Sequence, residues 1–243
     1  MRMLPALVLV EIPSGQNSLY HDEGFIIDEA LVLTGVLHAR VSNHPDVVRV
    51  AQDALHVLNL EERYIIGQTR GIERTLLSRV VRATAPGFRV FPYSFDEDPE
   101  SPIKNIRIGV EAPARVARVL RHARNSYVFH IELPEALQEG ERASFRFYIT
   151  ADGSTFEDVG MVLKQQMVHT ERVLLSVEFR ANEHPERVWW LESPYPIMTA
   201  THPDFPFNEN KRLPRLPTDI YEMEFTKPMR PARLVGIAWQ FGE

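Results

Sequence analysis

Between Asn125 and Phe179 the chain alternates with a period of two, and no other feature narrows its fold as far. One file is apolar: Tyr127, Phe129, Ile131 and Leu133, then Phe145, Phe147 and Ile149, then Val173, Leu175, Val177 and Phe179. The other is largely polar, with His130, Glu132, Ser144, Arg146, Tyr148, Thr150, Ser176, Glu178 and Arg180. Successive side chains of a pleated strand point to opposite faces, so these runs are strands with one face in a core and the other toward water. The joints agree. Gln138 to Glu141 and Ala151 to Ser154 supply the glycine and short polar residues that tight turns need.

The rest of the chain is read outward from these strands. Residues 4 to 12 form a first strand, 13 to 23 a polar connection, and 24 to 41 an apolar stretch open to either helix or strand. Asn43-His44-Pro45-Asp46 has the chemistry of a helix start, with a capping side chain, an early proline and an acid in the first turn. Val47, Val50, Ala51, Ala54, Val57 and Leu58 follow at helical spacing. A second helical pattern runs from Glu61 to Arg82 through Ile65, Ile66, Ile72, Leu76, Leu77, Val80 and Val81, with Gly67 and Gly71 dividing it. Beyond Pro86-Gly87 the composition shifts, and a domain boundary is expected there. Pro113 to Arg124 is open to either reading: arginines at 115, 118, 121 and 124 would form a basic ridge on a helix. Strands are expected again at 159 to 168, 186 to 191, 221 to 225 and 235 to 241. A proline-rich stretch at 193 to 218 has neither period.

These elements predict an α+β protein: residues 1 to 86 as a mixed part with two or three helices, and 87 to 243 as an antiparallel, β-sandwich-like domain with a long loop at 193 to 218. A chain of 243 residues, 44% hydrophobic, can bury a substantial core. It contains no cysteine, which removes disulfides, thiolate nucleophiles and cysteine metal sites together and points to the cytoplasm. No apolar run reaches the roughly 18 residues of a membrane span. The net charge of −6 disfavours the molecule as a whole as a polyanion binder but allows a local basic patch.

Catalytic signatures are missing. There is no Gly-x-Ser-x-Gly elbow, Walker loop, Gly-x-Gly-x-x-Gly or His-Glu-x-x-His. His122 with His130, or His169 with His184 and His202, lack ligand spacing, and the acidic loop Asp96, Glu97, Asp98, Glu100 lacks the glycine and alternation of a calcium loop. No metal, cofactor or catalytic residue is therefore expected. A hydrolase assembled from scattered His, Asp and Ser stays open only in principle.

Two features remain. From Arg63 to Arg89 six arginines face one acid, Glu73. On a helical pair with a turn near Gly71, the residues Arg70, Arg74, Thr75, Ser78, Arg79 and Arg82 would present a phosphate-facing surface of helix-turn-helix type to DNA. The second feature is the proline-rich stretch with its neighbours. Trp190, Tyr195, Phe205, Phe207, Lys211 and Arg212 combine aromatics with cations, the residue types of interaction hot spots, and suit a protein partner or self-assembly.

The runs ELPEALQEGERASFRFYIT, TERVLLSVEF, PERVWW and PARLVGIAWQF resemble the β-rich C-terminal domain that follows lambda-repressor-like helix-turn-helix domains in some bacterial regulators. The resemblance covers about half the chain and implies a sensing or interaction role. The leading expectation is thus a non-enzymatic interaction or regulatory module, with a DNA-binding regulator and a hydrolase as alternatives.

Overall fold

The computed structural model describes residues 7–11, 55–96, 104–123, 126–152, 159–165, 169–180, 184–193, 209–216, 219–228 and 234–242. Most of these residues form β-strands: β1 (Leu7–Glu11), β2 (Leu55–Ile66), β3 (Ile72–Ala83), β4 (Phe88–Asp96), β5 (Lys104–Glu111), β6 (Arg115–Ala123), β7 (Ser126–Leu137), β8 (Arg142–Asp152), β9 (Val159–Gln165), β10 (Val173–Phe179), β11 (Arg187–Ser193), β12 (Ile220–Phe225) and β13 (Leu234–Gln240). A single 3₁₀ turn spans Glu209–Lys211, and no α-helix occurs among the described residues.

The expected helical N-terminal part is thereby overturned. The segment read as a helix from 61 to 82 is an antiparallel hairpin of β2 and β3, paired from Leu55↔Ala83 to Ile66↔Ile72. Gly67 and Gly71 belong to the connecting turn, where Gly67 N donates to Gly71 O at 2.9 Å and Arg70 adopts φ 59°. The misreading has a local cause. Thr75, Leu77, Arg79, Val81 and Ala83 point into the core, while Leu76 and Val80 stand on the other face beside them. Apolar residues at 76, 77, 80 and 81 then mimic a helical stripe. The β-branched content of Ile65, Ile66, Ile72, Val80 and Val81 was the opposing signal. Of the other expected helix, residues 55 to 58 lie in β2; residues 43 to 54, like the stretch 24 to 41, fall outside the described residues.

Within the segment from 113 to 124, Arg115–Ala123 form strand β6. Its arginines recur every three residues because register shifts between Val116 and Arg118, and between Arg121 and Ala123, interrupt the period of two. A bulge inserts one residue, so Arg115 opposite Glu132 and Arg118 opposite His130 stand on the same face.

The strands make three sheets. The largest has seven strands in the order β1-β5-β8-β3-β2-β10-β12, antiparallel throughout except for the parallel pair β2 and β10. It takes strands from both sides of residue 86. Two three-stranded sheets, β4-β7-β6 and β11-β13-β9, lie against one of its faces. Phe91 meets Phe145 and Tyr93 meets Phe147 at 5.1 Å under the first; Phe179 meets Trp239 at 5.5 Å and Trp190 meets Phe225 at 6.1 Å under the second. Between these layers lies one core, in which Phe129, Ile131, Ile149, Leu175 and Trp239 are buried. The alternation that announced β7, β8 and β10 is thus an inner file of core residues and an outer file facing away from it.

Candidate functional site

Two places on the large sheet gather chemistry, one on each face. The inner one sits at the seam between the two small sheets. Glu62, on β2 between Leu60 and Tyr64 in the inward file, is buried where the strand pattern calls for an apolar residue. Its Oε1 accepts from the Arg79 guanidinium of β3 and from Lys164 Nζ of β9 at 2.9 Å, and its Oε2 accepts from the Tyr64 hydroxyl at 2.5 Å. Arg79 also donates to the Ser78 carbonyl at 3.0 Å and the Glu61 carbonyl at 3.2 Å. Tyr93 of β4 closes the cluster, its ring centre 4.5 Å from Lys164 Nζ and 5.8 Å from the Arg79 guanidinium carbon. Because β9 and β4 are the edge strands of different small sheets, this contact joins both to the large one.

The electrostatics fix the protonation states. Burial pushes the Glu62 carboxyl upward, but Lys164, Arg79 and the Tyr64 hydroxyl outweigh it and hold the group at about 2. Burial, and then the Glu62 charge, push the Tyr64 phenol well above its ordinary value. At neutral pH the cluster is an ionised carboxylate between two cations with a protonated tyrosine. Neither acid nor phenol is tuned toward neutrality, where proton transfer would need it. Such an arrangement holds position.

On the outer face, the ladder pairs place four residues on one level across four strands: Arg63 of β2, Leu76 of β3, Tyr148 of β8 and Gly109 of β5. Leu76 is 36% exposed. The Tyr148 ring lies over Gly109 so closely that a Cβ there would stand 2.4 Å from it. The Arg74 guanidinium carbon sits 5.3 Å from the centre of the same ring. Arg107 and Arg146 stand exposed to either side of this level, and Arg82 and Arg142 oppose one another directly further along.

The residues expected to face DNA are divided by the sheet. Thr75 and Arg79 point into the core, and the Thr75 hydroxyl has no hydrogen-bond partner among the described residues. Arg74, Ser78 and Arg82 belong to the outer file of β3, with Arg82 3.4 Å from Glu171 and from His56 Nδ1. Arg70 lies in the hairpin turn with its guanidinium 4.5 Å from the Phe241 ring centre. No helix carries them, so a helix-turn-helix surface does not form. Of the residues expected to meet a protein partner, Trp190 is half-buried against Phe225 and lies 4.7 Å from Lys211 Nζ, while Arg212 is exposed and donates to the Glu186 carbonyl at 3.3 Å. Residues 211 to 213 run along the edge of β11, where Leu213 N donates to Val188 O at 2.8 Å. Tyr195, Phe205 and Phe207 fall outside the described residues.

Sequence reasoning missed Glu62, Tyr64, Tyr93 and Lys164 within, and Leu76, Arg142, Arg146 and Tyr148 without. A charged residue interrupting an apolar file would have marked the first group, had residues 55 to 83 been read with a period of two. Among the described residues, no group of three or more His, Asp or Glu is placed to hold a metal ion, and no helix is long and apolar enough to cross a membrane.

No protein-family model and no curated protein matches the sequence. Among solved structures, the chain is similar to an M1 zinc metallopeptidase from Deinococcus radiodurans, at TM-score 0.39 and 12% identity over 77% of this chain and 42% of that one. It is likewise similar to native leukotriene A4 hydrolase from Saccharomyces cerevisiae, at TM-score 0.37 and 14% identity over 76% of this chain and 29% of that one. The chain therefore spans less than half the length of the structures it resembles.

Proposed function

We propose that the chain is a non-enzymatic interaction module of β-sandwich build, which receives a protein partner on the outer face of its large sheet. One observation carries this reading: an exposed leucine and a tyrosine sit at the middle of that face within a frame of arginines. An apolar centre inside a polar rim is the anatomy of a protein interface, and tyrosine and arginine are the residues that dominate its energetics. The inner cluster supports the reading from the other side, because its charges satisfy one another and stiffen the sheet that presents the face. A regulatory role fits the same surface, and the lack of cysteine favours work in the cytoplasm.

The test is affinity capture from a cell lysate with wild-type chain and with Leu76→Asp, compared quantitatively. A partner retained by wild type and lost from the variant, with unfolding curves unchanged, is the expected result. Identical capture by both would remove the outer face from the function.

A further inference from the structure

We propose that the occupant of the outer face is an extended acidic polypeptide segment that places an apolar side chain between two carboxylates. This rests on the interaction reading above and adds the chemistry of the partner. The argument begins with spacing. Along a strand, residues on one face recur every ~7 Å, and neighbouring strands lie ~4.8 Å apart. Following the ladder pairs, Arg74 and Arg107 flank Thr150 on one level, Leu76 and Tyr148 occupy the next, and Arg146 stands beside Ser78 on the one after. Across β3 and β8 the face therefore reads cationic, apolar, cationic along the strand direction, with Glu11 opposite Arg107 and Glu61 opposite Ser78 in the neighbouring ladders. An extended segment laid over it, with acid, apolar and acid side chains at every second residue, repeats at the same ~7 Å and matches each level.

Charge decides between occupants. Toward β10 and β12 two of the three acids of the face are already matched, Glu224 by Arg172 at 2.6 Å and Glu178 by Arg180 at 2.8 Å and by Arg63 at 3.8 Å, while Glu222 meets no cation among the described residues. Toward β3 and β8 the balance is different. Arg142 and Arg146 meet no carboxylate among the described residues, and Arg82 opposes Arg142 across the ladder, an unfavourable placement of like charges. A cationic half, with Glu222 the one acid of β10 and β12 left unmatched on the other side, fits an acidic ligand better than it fits a second copy of the chain. The central Leu76 speaks for a polypeptide over a nucleic acid, since a phosphate backbone offers it nothing to cover.

The experiment uses the full chain and a fluorescent synthetic peptide in which glutamate, serine, leucine and serine repeat, followed by anisotropy at low salt. Saturable binding is expected, weakened at least about tenfold by Arg146→Glu and by Arg74→Glu, and weakened again as salt rises toward ~0.2 M. Replacing the peptide's leucines by serine should cost a similar factor. All these side chains are exposed, so urea unfolding checks that each variant remains folded. Absence of binding, binding indifferent to Arg146→Glu, or tighter binding of oligothymidine than of the peptide would each overturn the proposal, as would peptide-free dimers that Leu76→Asp dissociates. If the peptide fails while lysate capture still depends on Leu76, the acidic segment falls and the interaction reading stands. If both fail, both fall.

Discussion

Strand β3 carries arginines on its two faces, and the sheet gives them opposite surroundings. Arg79 is 1% exposed, locked onto Glu62 and supported by two backbone carbonyls. Arg74, five residues earlier, lies outside on the Tyr148 ring and is exposed. Chemically identical groups thus become a fastener in one place and a contact surface in the other. Sequence periodicity decides which, because between bulges an odd number of residues along a strand changes face. The buried member is costly to desolvate, and is tolerable only because Glu62 and the carbonyls satisfy it. The exposed member gives up little hydration and stays available to a ligand.

The difference is broken most directly by removing each arginine in turn. Arg79→Ala should cost about 3 kcal/mol or more, since it strips Glu62 of one of its two cations in a dry site. Arg74→Ala and Arg146→Ala should stay within about 0.5 kcal/mol of wild type. Urea unfolding midpoints measure all three, and comparable losses on the two faces would contradict the division. Replacing Glu62 and Arg79 together by leucine removes that pair but also takes the acceptor from Lys164 and the Tyr64 hydroxyl, so the double variant should remain destabilised.

Acid titration sharpens the inner half. Glu62 is held at about 2 against an ordinary 4.5, so its folded form releases its proton more readily than its unfolded form. The stability it contributes is complete above pH 4.5 and is lost as pH falls toward 2, amounting to about 3 kcal/mol at 1.4 kcal/mol per pKa unit. In Glu62→Gln the stability at neutral pH should drop and this part of the acid slope should vanish. A variant with an unchanged slope would show that the carboxylate is not held by Arg79 and Lys164.

The two faces were unequally legible in the sequence. Strands β7, β8 and β10 could be read residue by residue, because Phe129, Ile131, Phe145, Phe147, Leu175 and Val177 keep the inner file apolar without interruption. Strands β2 and β3 could not. Glu62 and Arg79 put charges into the inner file while Ile65, Leu76 and Val80 put apolar groups into the outer one, and the sum of the two looks helical. The same substitutions that hid the strands create the two candidate sites. Lys164 and Tyr93 were invisible for another reason: their meeting with Glu62 depends on which sheet edges adjoin, and short-range periodicity carries no such information.

Glycine offers a finer comparison. Gly160 lies under Trp239 and Gly109 under Tyr148, each as a ladder pair in which a Cβ would come within 2.4 Å of the ring. Trp239 is buried and packed edge-on by Phe179, so it cannot withdraw. Tyr148 is half-buried on the outer face and can swing toward water. Gly160→Ala should therefore cost about 2 kcal/mol through overpacking. Gly109→Ala should cost about 1 kcal/mol or less, while tilting the ring that forms the floor for Arg74. Equal losses in thermal unfolding would mean that the outer ring is as fixed as the inner one.

The smallest expected effect comes from the far end of the outer face, where His56 of β2 stands opposite Arg82. Burial first, then His169 and Arg82, push the His56 imidazole below its ordinary 6.5; Glu171 opposes them but does not prevail. The unfolded chain therefore takes up this proton more readily than the folded one. The stability contributed by neutral His56 is present above pH 6.5 and is lost as pH falls below it. His56→Gln should flatten the stability profile just below that value, by less than the Glu62 variant changes the profile below 4.5. The logic is that of the arginines again: a group that gains charge beside Arg82 destabilises the face, whereas a carboxylate brought there from outside would relieve it. Acidic peptide at saturation should accordingly shrink the His56 slope, and a slope indifferent to peptide would place the ligand away from this end of the sheet.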